Sequence, residues 1–167
     1  TALTYGALRL QGRYDAMIAA CTDRPLERIE PAVLDVLRLG AHQLMGMRVP
    51  PHAAVSTTVD LATDSCGRGA ATFVNAIMRR LSDQDLEAWL VLLGRDAPDE
   101  AAALARTQSH PEWIVKALRQ ALVTHGRSAE ELEALLVADN TDPEVVLCAR
   151  PGLIAPEALT KAARRSD

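Results

Sequence analysis

The apolar residues of this chain recur at helical spacing along most of its length. From position 3 to position 21 they fall at offsets of 0, 4, 7, 11, 14, 15 and 18, which places them on one face of a helix. We therefore predict one continuous first helix of about five turns. Its inward face consists of Leu3, Ala7, Leu10, Tyr14, Met17, Ile18 and Cys21.

Prolines and glycines divide the next part of the chain into three more predicted helices. A proline can occupy the first turn of a helix over 31–46, and the Val-Pro-Pro connector at 49–51 separates that helix from another over 52–65. After two glycines, apolar residues at offsets 0, 3, 4, 7, 8 and 11 predict a helix over 70–81. The pattern indicates a compact helical module.

Shorter helical patterns continue as far as position 140. Ser82 or Asp83 can cap the first of these helices, and Ser109 can cap a later one that has a proline near its start. Beyond position 143 the pattern becomes extended, and we predict a strand over 145–149 followed by a helix over 156–165. Because a lone strand cannot satisfy its own edges, we expect this end of the chain to open a further subdomain.

Charge is distributed unevenly between the two parts of the chain. The formal net charge is −4, but residues 1–82 carry nine arginines against seven acidic residues, whereas residues 83–144 carry five cationic residues against thirteen acidic ones. An anionic partner such as RNA would meet a more favourable surface in the N-terminal part. Ordinary solvated surfaces could show the same counts.

Composition and motifs exclude several classes of protein. No apolar run approaches the roughly 18 residues of a membrane-spanning helix, so we expect no membrane association. Three widely spaced cysteines suit unpaired thiols in a reducing cytoplasm. Phosphate-loop, dinucleotide, serine-hydrolase and zinc-protease signatures are absent and the four histidines are scattered. We therefore predict no catalytic residue and no metal site in this chain.

Three segments occur in the order typical of the NusB-type RNA-binding domain. They read LDVLRLGAHQLMGM (34–47), VPPHAAVSTTVDLA (49–62) and FVNAIMRRL (73–81). The opening TALTYGALRLQGRYDAMI resembles the variant of this domain that is fused to rRNA cytosine-5 methyltransferases of the RsmB (Sun/Fmu) type. SHPEWIVKAL (109–118) and ADNTDPEVVLCARPG (138–152) are similar to the connector and first strand of that family.

The resemblance implies an all-α fold of three parts. A NusB-like helical bundle that lacks the first family helix would occupy 1–95, a helical connector 96–142, and the incomplete start of the methyltransferase N-terminal subdomain, with one strand and one helix, 143–167. The parent protein would be a cytoplasmic enzyme that uses S-adenosylmethionine to methylate cytosine C5 in small-subunit rRNA. Its methyl-donor site would lie downstream, so this chain would be a non-catalytic docking module that binds no cofactor itself. The implied partners are the rRNA and the downstream methyltransferase domain.

Arginines are the candidate RNA contacts. Only five aromatic residues are present, and Tyr14, Phe73, Trp89 and Trp113 lie on apolar helical faces, so we predict that they are core residues and that base stacking contributes little. Contacts between arginine and phosphate would provide the affinity instead. The candidates in the NusB-like segment are Arg9, Arg13, Arg38, Arg48, Arg79 and Arg80.

Alternatives remain open at the level of the residues and of the whole chain. Arg38 could pair with Asp35, and Arg79 and Arg80 could complement the dipole at the end of their helix. The chain could also be a stand-alone NusB-like transcription antitermination factor, or a helical scaffold with little RNA contact. The strand predicted after Pro143 argues against the antitermination factor.

Overall fold

The computed structural model describes residues 2–47, 49–141, 148–150, 152–153 and 157–158. In this part of the chain all regular secondary structure is helical, and no helix is both long and apolar enough to cross a membrane. A 3-10 turn at Leu26–Arg28 lies between the second and third helices. The helices are α1 (Ala2–Arg9), α2 (Gln11–Ala20), α3 (Pro31–Met45), α4 (Pro51–Cys66), α5 (Arg68–Ser82), α6 (Leu86–Arg95), α7 (Glu100–Thr107), α8 (Glu112–Thr124) and α9 (Glu131–Asp139).

The predicted continuous first helix is two helices that meet at Leu10. This residue has φ −102° and ψ 20°, outside the α-helical region. The hydrogen bonds Leu10 N to Gly6 O and Tyr14 N to Leu10 O, both 3.1 Å, carry the backbone through the bend. The bend lets α1 pack on α3 while α2 reaches both α3 and α7. The prediction was wrong because apolar spacing continues across the bend.

Helices α3, α4 and α5 lie at the centre of the bundle, and their bounds agree with the predicted helices to within a few residues. Pro31 and Pro51 occupy the first positions of α3 and α4, where a backbone N–H has no intrahelical partner. Gly67, at φ 89°, joins α4 to α5 in a conformation that glycine adopts without steric cost. At Gly40 a Cβ would lie 2.7 Å from Met78 Sδ, so the glycine permits the close approach of α3 and α5.

Aspartates begin the two helices that follow the bundle centre. The Oδ1 atoms of Asp85 and Asp99 accept hydrogen bonds from the backbone N–H groups three residues ahead, at 2.9 and 2.8 Å. The prediction that Ser82 or Asp83 caps α6 was wrong, because α5 extends through Ser82 and α6 begins only at Leu86.

The predicted strand is not observed among the described residues. Residues 145–147 lie outside the described part of the chain, and Cys148 and Ala149 adopt no regular structure. A strand needs a second strand to pair its backbone groups, and the elements described here are helices. Of the helix predicted over 156–165, Glu157 and Ala158 are described and are helical.

Buried side chains form two clusters. The larger lies among α2 to α6 and includes the fully buried Tyr14 and Leu81. The smaller contains Val115 on α8 with Leu132 and Leu136 on α9. Helix α7 packs on α2 and α6 on one side and on α8 on the other, so it connects the two clusters.

A tyrosine–histidine pair is buried inside the larger part. Tyr14 Oη lies 2.7 Å from His42 Nδ1, and burial raises the pKa of Tyr14 to about 12. Two glycines make room for the imidazole, because a Cβ at Gly6 would lie 2.1 Å from its Nε2 and one at Gly46 would lie 2.5 Å from its ring. The imidazole therefore occupies the space that side chains at Gly6 and Gly46 would need.

The aromatic residues do not all belong to the core. Tyr14 and Trp89 are buried as predicted, and Phe73 is half-buried. Trp113 is 71% exposed, so its prediction as a core residue was wrong. Helix α8 turns Val115 inward, and a residue two positions earlier points about 160° away at 100° per residue.

Candidate nucleic-acid interface

Arg38 is held between two aspartates. Its Nε and Nη2 donate to the two carboxylate oxygens of Asp15 on α2 at 2.7 and 2.8 Å, and its Nη1 donates to Asp35 Oδ1 at 2.9 Å. The hydrogen bond to Asp15 is the main reason why the pKa of Arg38 is raised. The expected pairing with Asp35 is present, and the bidentate bond to Asp15 adds a link from α2 to α3. These contacts favour a structural role.

Arg13 is also engaged by the protein. Its side chain is buried, its Nε donates to Thr107 O at 2.7 Å, and burial lowers its pKa. Its backbone N–H donates to Ser109 Oγ at 3.2 Å, which supplies an acceptor that Leu10 at the N-cap of α2 lacks. Ser109 was predicted to cap α8, but Pro111 takes the N-cap position there and makes no side-chain bond.

The segment between α7 and α8 is held from a second side. Ser109 has φ 56°, an uncommon conformation for a residue with a side chain. Asn140, which follows α9, donates its Nδ2 to Gln108 O at 2.7 Å, and Arg9 Nη1 donates to Asn140 O at 3.4 Å. Arg9 and Arg13 therefore both contact the helices that follow the bundle. We call the following set the connector junction: Arg13, Thr107, Gln108, Ser109 and Asn140.

Arg80 and Arg24 flank one face of α5. Arg80 Nη1 donates to the carbonyl of Cys21 at the end of α2 at 2.7 Å, and the residue stays exposed. The guanidinium carbon of Arg24 lies 5.0 Å from the centroid of the Phe73 ring, which is a cation–π contact. Phe73 and Arg80 are seven residues apart, which brings them to nearly the same side of the helix.

Arg79 lies beside an open groove between α4 and α5. Its Nε donates to Asn75 Oδ1 at 3.2 Å. Both residues line the groove, which has a volume of about 550 Å³ and also contacts His52, Val55 and Val59. Asn75 is neutral and Arg79 makes no ion pair with a described residue, although the acidic Asp60 also lines the groove.

The cations of the two parts differ in their ion pairing. In the described stretch of the acidic part, four cations pair with an acidic residue, namely Arg95, Lys116, Arg119 and Arg127. Five exposed arginines of the N-terminal part make no ion pair within the ranges that the structure describes, namely Arg24, Arg28, Arg68, Arg79 and Arg80. Exposed guanidinium groups without an ion pair are thus concentrated in the N-terminal part, although the half-buried Arg106 and the exposed Arg150 also make none among the described residues.

Sequence reasoning selected only two of these five arginines. Arg24 and Arg28 lie between helices and Arg68 begins α5, so a choice of arginines on predicted helices and at their ends passed over them. The charge count over residues 1–82 included these three arginines, and it was the sequence signal that pointed to them. Arg48, the sixth predicted contact, lies outside the described residues.

The buried Cys21 thiol shows no sign of activation. Burial raises the pKa of the Cys21 thiol to about 11, so it stays protonated near neutral pH. Cys66 is half-buried and Cys148 is exposed. Across the ranges that the structure covers, no group of three or more His, Cys, Asp or Glu side chains is placed to hold a metal ion.

Comparison with known proteins assigns the N-terminal part to a family. Residues 1–83 match the model of the NusB family, and this segment contains α1 to α5. The N-terminal half of the chain belongs to the NusB family. The five exposed, unpaired arginines all lie in this NusB domain.

Similarity to whole proteins extends past the NusB domain. A protein of Mycobacterium tuberculosis (strain H37Rv), whose name assigns it provisionally to the methyltransferases, is 42% identical over 165 residues, which are 98% of this chain and 35% of the relative. Ribosomal RNA small subunit methyltransferase B of Pseudomonas syringae pv. tomato is 32% identical over 145 residues, 87% of this chain and 29% of the relative. The chain spans about a third of the length of these curated relatives. No solved structure matches it.

Proposed function

We propose that this chain is the RNA-docking module of a cytoplasmic enzyme that methylates cytosine C5 in small-subunit rRNA. The NusB domain would hold the rRNA, and the methyltransferase domain that follows it would bind S-adenosylmethionine and perform the chemistry. The similarity to ribosomal RNA small subunit methyltransferase B over 145 residues supports this reading. The chain itself would be non-catalytic, which fits the protonated, buried thiol of Cys21.

The proposed module has three parts. The NusB-like domain would occupy 1–95, the helical connector 96–142, and the start of the methyltransferase subdomain 143–167. The two clusters of buried residues support the first division, because the larger ends with Leu93 on α6 and the smaller lies on α8 and α9.

The observation that carries the proposal is the group of five exposed arginines without an acidic partner. An arginine already paired with a carboxylate must give up that partner before it can neutralise a phosphate, whereas an unpaired one gains the full electrostatic benefit. Arg79 at the α4–α5 groove and Arg80 beside Arg24 are therefore the strongest candidates. Arg9, Arg13 and Arg38 contribute mainly to structure in this proposal.

The extent of the similarity favours a fused module over a stand-alone antitermination factor. The 42% identity to the mycobacterial relative covers 165 residues, so it includes α6 to α9 as well as the NusB domain. A factor consisting of the NusB domain alone would not require these connector helices to match a methyltransferase.

Salt-dependent RNA binding tests the docking role and distinguishes it from a scaffold. Fluorescence anisotropy with labelled small-subunit rRNA fragments would give the dissociation constant of the chain at several salt concentrations. We expect Arg79→Ala/Arg80→Ala to weaken binding and to reduce the slope of log K against log salt by about 1 for each arginine. The matched control is Arg95→Ala/Arg127→Ala, which removes two exposed but ion-paired arginines from the acidic part.

Equal RNA binding by the two double variants would rule out Arg79 and Arg80 as RNA contacts. Circular dichroism would confirm that both variants fold, because Arg80 also contacts the carbonyl of Cys21. Incubation of the chain with labelled methyl donor and rRNA should give no transfer. Transfer above background would contradict the non-catalytic role.

A further inference from the structure

One face of α8 lacks the charged residues that a water-exposed helix normally carries. Val115 is buried and defines the inward side. At 100° per residue, five exposed and uncharged residues point within about 60° of the opposite direction, and the exposed Lys116 lies about 80° from it. We call them the outer face of α8: Trp113, Ala117, Gln120, Ala121 and Thr124.

Exposed apolar surface also lies between α1 and the start of α8. Pro111, two residues before Trp113, lines a groove of about 460 Å³ together with Leu8 of α1, which is 61% exposed. The groove also contains Asp15 and Arg106, so apolar and polar groups are mixed there. Such a mixture is typical of interfaces between domains of one chain.

The chain leaves α9 close to the start of α8. Asn140 donates to Gln108 O at 2.7 Å, and Asp139 Oδ2 lies 3.8 Å from His110 Nε2. Gln108 and His110 come directly before α8, whose first turn carries Trp113. A domain that begins after Thr141 would therefore start close to the first turn of α8, and its effective concentration there would be high.

We propose that the outer face of α8 docks the methyltransferase domain that follows in the same polypeptide, with Trp113 inserted into an apolar surface of that domain. This inference rests on the proposed function. The chain spans 35% of its mycobacterial relative, which leaves enough length for such a domain. A tryptophan that is 71% exposed is the kind of residue that anchors a protein interface once a pocket covers it.

Charge argues that the occupant is protein and not RNA. Lys116, at the border of the outer face, is already paired with Glu112 one turn away. Residues 83–144 carry thirteen acidic residues against five cationic ones, so a phosphate backbone would be repelled. The RNA surface of the NusB domain and the docking surface of α8 are therefore separate.

Hydrogen exchange measured by mass spectrometry tests the docking. The protein expressed from the complete parent reading frame would be compared with the 167-residue chain over residues 112–124. We expect the α8 amides to exchange at least about tenfold more slowly in the longer protein, because docking must be released before the helix opens. Trp113→Ala should remove most of that difference. Val91→Ala on α6, a site that is 67% exposed, is the matched control and should leave it intact.

Several results would overturn this assignment. Equal exchange of α8 in the two proteins would show that nothing covers it, and a parent reading frame without a following methyltransferase domain would remove the occupant. Concentration-dependent dimerisation that Trp113→Ala abolishes would assign the face to a second copy, and loss of rRNA binding in Trp113→Ala would assign it to RNA. Because Trp113 is exposed, the variant chain should melt like the parent chain. The Arg79/Arg80 measurements test RNA docking independently.

Discussion

Glycine positions show how single atoms decide packing in this chain. A Cβ at Gly6 would lie 2.1 Å from the buried imidazole of His42, whereas a Cβ at Gly69 would meet nothing within 4 Å. We predict that Gly6→Ala lowers the free energy of unfolding by about 1–3 kcal/mol through overpacking. Gly69→Ala should raise it by about 0.5–1 kcal/mol, because alanine favours the helix. Urea denaturation measures both, and two changes of the same sign would contradict this prediction.

The hydroxyl of Tyr14 makes stability depend on pH at the alkaline end. Burial raises its pKa from 10.0 to about 12, so the folded chain retains a proton that the unfolded chain loses, and the free energy of unfolding falls as pH rises between these values. Cys21 contributes in the same direction, since its pKa is raised from 9.0 to about 11.

We predict that Tyr14→Phe lowers stability near neutral pH by about 1–2 kcal/mol, because it removes the hydrogen-bond partner of His42 Nδ1. The same variant should lose less stability between pH about 10 and about 12, because it lacks the hydroxyl whose proton the folded chain retains over that range. Urea denaturation across this pH range measures both effects. An unchanged alkaline slope would show that Tyr14 does not titrate differently in the two states.

At the scale of elements, the connector junction holds α7 to α9 on the NusB domain. We predict that Arg13→Gln destabilises the chain by about 1–3 kcal/mol. The change removes the donor to Thr107 O and leaves unfilled the space that the buried guanidinium occupies. Hydrogen exchange should accelerate most in α8 and α9. Arg127→Gln removes an exposed, ion-paired arginine and should change stability by less than about 1 kcal/mol. Similar effects of the two changes would contradict a structural role for Arg13.

Elements were predicted better than the contacts between them. Proline and glycine placement located α3, α4 and α5, because these residues act on the backbone locally. The bend at Leu10 and the use of Ser109 to cap α2 escaped prediction. The cap joins residues 96 positions apart, and the bend accompanies packing of α1 on α3 and of α2 on α3 and α7, so the local spacing of apolar residues reveals neither.

At the scale of the whole molecule, opposite charge balance separates two proposed surfaces. The NusB domain carries five exposed arginines that make no ion pair with a described residue, and the acidic connector carries the uncharged outer face of α8. The charge count along the sequence predicted which part would attract RNA. It could not rank the arginines, because Arg13 and Arg38 became structural only through contacts with Thr107 and Asp15.

The sequence alone determined that this chain is helical, and the order of its motifs indicated the NusB family, which the comparison confirmed for residues 1–83. Both properties follow from local signals: apolar spacing, proline and glycine positions, and short motifs. The tertiary structure decided which side chains are free. It exposed Trp113, buried Arg13 and left Arg79 open. Exposure and pairing depend on what distant segments place beside a residue, and that information exists only once the helices are packed.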